Sequence, residues 1–178
     1  MKTVLQRVQR AEVRVDGVAV ARIERGVVLL CGVERGDGEV DADVTARKVA
    51  ALRIFPGRTP MDLTLAEVGG ACLVVSQFTL AASLSKGNRP SFEPAEAPAR
   101  AEELYLRIAA QLRGLGLPVE TGRFAADMQV DLVNDGPVTF LVFTKEGKLE
   151  GRADQSLTGA PPPSGPLAPV RGGRGGEG

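Results

Sequence analysis

The sequence predicts an α+β fold with mainly antiparallel, barrel-like β-sheets and two principal helices. Three observations support this prediction: β-rich segments outnumber helical ones, hairpin-type turns join several of them, and two stretches show helical periodicity. A length of 178 residues suits one well-buried domain. We assign that domain to residues 1–150, because the composition changes beyond Glu150.

The predicted strands begin with a hairpin. Asp16-Gly17 separates two pairs of alternating valines, and glycine tolerates the positive φ of a tight hairpin turn. The apolar run 27–33 predicts a buried strand, and 71–75 predicts another. Three shorter β signals follow near the end of the domain, at 119–124, 128–133 and 138–144.

Two helices are predicted, over 39–53 and 95–113. The first has Asp37 as its candidate N-cap, with acidic residues early and basic residues late, as the helix dipole favours. The second ends near Gly114, and its apolar stripe is interpreted as core packing alone. The apolar face of the first helix is assigned to Val40, Val44, Val49 and Leu52, and that of the second to Ala101, Leu104, Tyr105, Ile108, Leu112 and Leu115.

The composition excludes several classes of protein. Lys+Arg and Asp+Glu both number 22, and a net charge near zero argues against a dedicated duplex-DNA binder, although a local basic strip can still bind RNA. No run approaches the ~20 apolar residues of a membrane span, and charges interrupt the first ten residues as they would not in a signal peptide. We therefore expect a cytoplasmic protein.

The residue 151–178 segment predicts a disordered tail. It holds 8 Gly and 5 Pro among 28 residues and has little to bury. Arg171 and Arg174 lie in a short Arg-Gly segment that faintly resembles an RNA-binding tail. A flexible extension and an RNA contact both remain open for it.

The chain contains no histidine, so a Ser-His or Cys-His pair and an imidazole base are excluded. Cys31 and Cys72 lie inside apolar runs and are interpreted as core residues in a reducing compartment. Two isolated cysteines without histidine do not predict a zinc site. We predict no metal and no cofactor.

Two segments hold candidate site residues. Ser76, Gln77, Phe78 and Thr79 follow a buried strand, where polar residues are typical of a site, although ordinary strand-end hydrogen bonding also explains them. The segment 134–137, Asn-Asp-Gly-Pro, is by itself an ordinary turn, for which base rates favour a trans Gly136-Pro137 bond.

Taken together, the ordered segments resemble D-aminoacyl-tRNA deacylases over about residues 1–144. The segments that carry the resemblance are Leu5-Gln6-Arg7-Val8, Ser76-Gln77-Phe78-Thr79-Leu80, Gly87-Asn88-Arg89-Pro90-Ser91-Phe92, Glu120-Thr121-Gly122-Arg123-Phe124, Ala126-Asp127-Met128-Gln129-Val130 and Asn134-Asp135-Gly136-Pro137-Val138-Thr139.

The resemblance implies hydrolysis of the ester between a D-amino acid, or glycine, and the 3′-terminal adenosine of tRNA. It implies a homodimer with an active site at each subunit interface. Gly136 and Pro137 would form a cis peptide that enters the partner's pocket and excludes L side chains. The residues at 76–79 would line that pocket, and backbone N–H groups around Phe78 and Thr79 would stabilise the oxyanion while the ribose 2′-hydroxyl assists the attacking water.

The resemblance also implies supporting and RNA-contacting residues. Arg7, Met128 and Asn134 would support the site, and Lys86 and Arg89 are candidate tRNA contacts. No membrane or DNA partner is implied. The loop 81–86 and Asp62 depart from the pattern usual in this family.

Two rival functions remain open from the sequence. The first is a related editing domain that removes a wrong L-amino acid, like the similar fold appended to some archaeal threonyl-tRNA synthetases. The second is a non-catalytic tRNA-binding module that uses Lys86, Arg89 and the tail. The 134–139 segment and the absence of a synthetase body argue against the first rival.

Overall fold

The computed structural model describes residues 1–85 and 87–150, so Lys86 and the predicted tail, with Arg171 and Arg174, lie outside the described residues. The strands are β1 (Lys2–Val15), β2 (Val18–Ile23), β3 (Gly26–Gly32), β4 (Ala71–Ser76), β5 (Val119–Thr121), β6 (Met128–Lys145) and β7 (Lys148–Leu149). The helices are α1 (Glu39–Ala51) and α2 (Pro98–Gly114), and a 3-10 turn spans Phe78–Ala81.

One long strand, β1, gives the sheet its curvature. Its first half pairs antiparallel with β3 and its second half with β2, while β6 pairs antiparallel along both halves. The order is β5-β4-β3-β1-β6-β7, with β2 paired to β1 as the seventh strand. Because β1 belongs to both halves, the sheet curls into a half-barrel. The predicted hairpin is confirmed, with Asp16 and Gly17 at positive φ of 51° and 77°.

The α+β class with two principal helices is confirmed, although the sheet is mixed. The β3–β4 and β4–β5 pairs are parallel. Parallel neighbours need a crossover connection, which α1 supplies between β3 and β4 and α2 between β4 and β5.

Both faces of the central strands are buried. In β3, Val27 and Leu29 face the core beneath the helices, whereas Val28 faces a second core inside the curled part of the sheet. In β4, Val74 faces the core beneath the helices and Leu73 faces the second core. A strand buried on both faces has a continuous apolar run, as these two strands do.

Helix α1 corrects two predictions. Its N-cap is Gly38, because the Asp37 carboxylate instead accepts a hydrogen bond from the Met1 α-ammonium at 2.7 Å. Val40 is 56% exposed, while Asp41 and Thr45 are buried. This face is the buried one because it makes polar contacts with the β6–β7 hairpin. One of them is a hydrogen bond of 3.0 Å between Thr45 Oγ1 and Thr144 Oγ1.

Helix α2 largely follows its predicted stripe. Leu104, Tyr105, Ile108 and Leu112 are buried. Leu115 is 49% exposed, because the helix ends at Gly114 and Leu115 falls outside it. Pro98 stands at the first helical turn, where its missing N–H costs nothing.

The two cysteines are free and buried, in agreement with their interpretation as core residues. Burial raises the pKa of the Cys31 and Cys72 thiols to about 12, so both stay protonated near neutral pH. Within 1–85 and 87–150, neither helix is long and apolar enough to cross a membrane.

Candidate active site

The chain leaves strand β4 at Ser76 and turns across the end of strand β3. The Gln77 N–H donates to the Cys31 carbonyl at 2.8 Å, which holds the turn against β3. A Cβ added at Gly32 would lie 2.7 Å from Leu80 Cβ, so the close crossing requires glycine there. Sequence reasoning missed Gly32, for which a glycine ending an apolar strand was the available signal.

The turn leaves two backbone donors free. The Leu80 N–H donates to the Gln77 carbonyl at 3.1 Å, which closes the first ring of the 3-10 turn. The preceding N–H groups of Phe78 and Thr79 make no hydrogen bond within the described residues, as is usual for the first donors of a helical turn. Two adjacent N–H groups are therefore available to an oxygen that develops negative charge.

The polar side chains of the turn form a pair without a base. Gln77 Nε2 donates to Thr79 Oγ1 at 2.5 Å. The amide orients the hydroxyl but has no capacity to remove its proton. Thr79 is exposed, and Ser76 and Gln77 are half-buried.

Two cavities meet at this turn. One of about 370 Å³ lies toward helix α2, and one of about 320 Å³ lies toward the start of β6. Ser76, Gln77, Phe78 and Ala125 line both of them. Three of the four predicted residues, Ser76, Gln77 and Phe78, therefore line both cavities, and Met128 lines the second. Thr79 follows Phe78 in the turn but lines neither cavity.

The larger cavity is mainly apolar and has an aromatic lining. Tyr105 and Phe124 contribute to it, so α2 supplies more than the core packing assigned to its stripe. The Tyr105 hydroxyl donates to the Gly122 carbonyl at 3.1 Å, and burial raises the pKa of Tyr105. A Cβ at Gly122 would lie 2.8 Å from Met128 Sδ, so this glycine lets β6 approach closely.

The segment 134–139 is not a turn between two strands, as predicted, but an insert within the continuous strand β6. Gln6 of β1 pairs with Thr139 and Val8 pairs with Asn134. Residues 135–138 therefore stand opposite Arg7 alone and bulge from the ladder. Within this insert the Gly136-Pro137 peptide bond is cis, and both residues are exposed.

Arg7 and Asn134 hold the insert at its base. Arg7 Nε donates to the Asp135 carbonyl at 3.0 Å and lies 2.9 Å from Asp135 Oδ2, and its Nη1 donates to the Ile54 carbonyl. Asn134 Nδ2 donates to the Arg7 carbonyl at 3.0 Å and to the Val138 carbonyl at 3.3 Å. A Cβ at Gly136 would collide with Asn134 Oδ1, so this position also requires glycine.

The insert and the turn lie apart within one chain. Strands β1 and β3 separate β6 from β4 in the sheet, and neither cavity at the turn is lined by Gly136 or Pro137. The site therefore consists of two separate parts, a turn with two cavities and an exposed insert.

The loop after the turn returns to it through an aromatic contact. The Phe92 and Phe78 rings have their centroids 5.0 Å apart and an interplanar angle of 57°. Arg89 is exposed on this loop, whereas the other candidate tRNA contact, Lys86, is outside the described residues.

Comparison with known proteins gives consistent matches. The family model for D-Tyr-tRNA(Tyr) deacylase matches residues 4–143. The D-aminoacyl-tRNA deacylase of Anaeromyxobacter dehalogenans is 57% identical over 143 residues, which are 80% of this chain and 96% of the relative. That of Paracoccus denitrificans is 56% identical over 140 residues, 78% of this chain and 94% of the relative.

Two solved structures share the fold. A c-Myc DNA unwinding element binding protein aligns with a TM-score of 0.76 and 36% identity, covering 81% of this chain and 99% of its own. A probable eukaryotic D-amino acid tRNA deacylase aligns with a TM-score of 0.63 and 19% identity, covering 79% of this chain and 97% of its own. The second match, at this low identity, supports the fold alone.

Proposed function

This chain belongs to the D-Tyr-tRNA deacylase family of hydrolases, and we propose that it hydrolyses the ester of D-aminoacyl-tRNA, releasing D-amino acid and tRNA. The observation that carries the proposal is the turn at 76–79, where the Phe78 and Thr79 N–H groups have no hydrogen-bond partner among the described residues and Phe78 lines two cavities. The carbonyl of this ester lies between the amino acid and the ribose of the terminal adenosine. The two cavities accommodate these two groups.

The chemistry rests on the backbone and the substrate. The N–H groups of Phe78 and Thr79 stabilise the oxyanion of the tetrahedral intermediate, an effect worth about 2.7–4 kcal/mol per donor in other enzymes. The chain contains no histidine, and the Cys31 thiol in the larger cavity is protonated because burial raises its pKa to about 12. The turn itself carries no base, although the carboxylates of Glu96 and Asp127 line the larger and the smaller cavity. We assign activation of the attacking water to the 2′-hydroxyl of the substrate ribose, which adjoins the ester.

The insert of β6 supplies chiral selection. Its backbone is fixed by Arg7 and Asn134, and Gly136 and Pro137 are exposed, so we propose that their carbonyls bind the α-ammonium of a substrate. A rigid backbone wall rejects an L side chain by collision, and a 10⁴-fold preference requires about 5.5 kcal/mol. Such a wall is insensitive to side-chain identity, so many D-amino acids and glycine should be accepted.

Selection by the insert requires a second copy of the chain. Residues 136 and 137 lie away from the cavities of their own chain, so they reach a cavity only in a partner. Along the outer edge of β6, β7 pairs with Thr144 and Lys145, and the rest of that edge is unpaired within the described residues. A long unpaired edge favours association with another chain, so we propose a homodimer with cross-subunit sites.

The test of the activity compares D-aminoacyl-, L-aminoacyl- and glycyl-tRNA in one deacylation assay. We expect hydrolysis of the D and glycyl substrates, with the L substrate at least about 10⁴-fold slower. Preferred hydrolysis of an L substrate would favour an L-specific editing domain. Tight tRNA binding without hydrolysis would favour a non-catalytic binding module.

The cross-subunit site has a separate test by complementation. A chain with Gly136→Trp has an intact turn and a blocked insert, whereas a chain with Phe78→Pro has an altered turn and an intact insert. In a mixed dimer, the turn of the first chain meets the insert of the second, so up to one intact site should form. Each variant alone should remain impaired. Absence of any recovery in verified mixed dimers would refute shared sites.

A tRNA substrate also places the enzyme where tRNA is charged, which we propose is the cytoplasm.

A further inference from the structure

Two large aromatic side chains stay exposed at the mouth of the turn. Phe78 is 58% exposed and Phe92 is 43% exposed, although each ring packs against the other. Phe78 lines both cavities, whereas Phe92 lines neither. Phe92 therefore lies outside the cavities, against the Phe78 ring that lines them.

The backbone presents Phe92 in a fixed position. The Ser83 N–H donates to the Ser91 carbonyl at 2.8 Å, and the Ser91 N–H donates back to Ser83 at 3.0 Å. Phe92 follows this two-way bridge directly, and its ring packs against Phe78 while it stays 43% exposed. An ordered, exposed aromatic ring costs little conformational entropy when it binds a flat partner.

A cationic side chain accompanies the two rings. Arg89 is exposed on the loop that the serine bridge closes, and it forms no ion pair with a carboxylate of the described residues. Arg89 precedes Phe92 by three residues in the chain. Exposed aromatic rings and a nearby arginine without a described ion pair are features that bind single-stranded nucleic acid, because bases stack on rings and arginine pairs with phosphate.

We infer that Phe92, supported by Phe78, is a stacking platform for the nucleobase that precedes the terminal adenosine of the substrate, with Arg89 paired to the adjoining phosphate. This inference rests on the proposed function, which places the terminal adenosine and its ester at the turn. The next nucleotide then leaves past Phe78 and meets Phe92. Charge complementarity favours RNA over a second copy of this chain, whose net charge is zero.

The test measures kcat/KM for D-aminoacyl-adenosine and for the same ester on a cytidylyl-adenosine dinucleotide. The ratio of the longer to the shorter substrate isolates the contribution of the added nucleotide. Stacking on one aromatic ring should raise that ratio by about 5- to 100-fold in the wild-type protein. Phe92→Leu should remove most of this gain, and Phe92→Tyr should retain it.

Two further variants complete the design. Leu84→Ala removes another exposed apolar side chain of the same loop and should keep the wild-type ratio, which controls for general disturbance of the loop. Arg89→Gln should reduce the slope of log(kcat/KM) against log[salt] by about 0.7 for the dinucleotide substrate, as expected for the loss of one single-strand phosphate contact.

A wild-type ratio near one, or a ratio unchanged by Phe92→Leu, would overturn the platform. Equal losses on both substrates together with dissociation into monomers would show that a second copy covers the rings instead. If the wild-type protein hydrolyses neither these esters nor D-aminoacyl-tRNA, the proposed function fails. The platform is then tested by binding of uncharged CCA trinucleotide against adenosine, where a Phe92→Leu effect on the trinucleotide supports it and its absence overturns it.

Discussion

Replacing Phe78 by proline removes one of the two free N–H groups of the turn while preserving a compatible backbone. Phe78 is the first residue of the 3-10 turn. The proline ring fixes φ at about −65°, which is the value that a 3-10 turn requires. Proline also restricts the preceding residue to extended conformations with ψ of about +120 to +160°. Gln77 has φ −143° and ψ 77°, so it is already non-helical and needs a ψ rotation of about 40°. The substitution should therefore delete a donor without breaking the turn.

The matched control is Phe78→Ala, which loses the same aromatic ring but keeps the N–H. Removal of one oxyanion donor costs about 2.7–4 kcal/mol in other enzymes, which corresponds to a loss of about 10²- to 10³-fold in kcat. We expect Phe78→Pro to fall below Phe78→Ala by this factor in kcat, with a much smaller difference in KM. Single-turnover hydrolysis of D-aminoacyl-tRNA measures both, and thermal unfolding checks that the variants are folded.

Kinetics of the two variants within about threefold of each other would refute the role of the Phe78 N–H, because a lost oxyanion donor should cost at least about a hundredfold. A large change in KM alone would also contradict it. That result would mean that the donor binds the ground state and the transition state equally.

Three other outcomes are expected. Thr79→Ala should retain substantial deacylation, because the hydroxyl has no base to activate it, and complete loss of activity in the same assay would contradict a backbone-based mechanism. Gly136→Ala should lower the ratio of D to L hydrolysis, because the added Cβ collides with Asn134 and displaces the insert. Deacylation rates of D- and L-aminoacyl-tRNA, measured in parallel, give this ratio. The hydrogen-bonded Arg107 guanidinium holds the pKa of the Asp43 carboxyl below its usual range, so this pair stabilises the fold above the ordinary carboxyl pKa and loses its effect as pH falls through the lower folded value. Asp43→Asn should cost at most about 1 kcal/mol at neutral pH and nothing at strongly acidic pH, as chemical unfolding at both pH values would show.

Local patterns predicted most of the fold because local rules determine those elements. The hairpin at Asp16-Gly17, the buried strands and the second helix follow from turn chemistry and periodicity. The parallel pairs were indicated by the helical segments between strands but were outweighed by the hairpin signals. The buried face of α1 was not predictable from periodicity, because its Thr45 bonds to Thr144, 99 residues away.

The candidate site also has one part that local sequence indicates and one part that depends on contacts between distant residues. The four residues at 76–79 were predicted as site residues from their position at the end of a buried strand, and the structure places them at the end of β4 and in the following 3-10 turn. The insert of β6 was misjudged as a turn, since its conformation depends on Arg7, which lies 128 residues before Asp135 in the chain. Pairing of this kind has no local signature, so only the family resemblance indicated that Gly136 and Pro137 were more than turn residues.

Three glycines of the site lie where an added Cβ would meet a neighbouring side chain, and at Gly32 the Gln77 carbonyl is also only 3.0 Å away. Added Cβ atoms would meet Leu80 at Gly32, Met128 at Gly122 and Asn134 at Gly136. These contacts fix the crossing of the turn over β3, the packing of β6 beside the cavities and the shape of the insert. A site that uses main-chain N–H and carbonyl groups must control the position of its main chain, and glycine permits the required approach. Alanine at Gly32 should therefore reduce kcat more than alanine at Thr79 does, although Thr79 is the residue with the reactive group. The reverse order in the same assay would place the chemistry in the side chains after all.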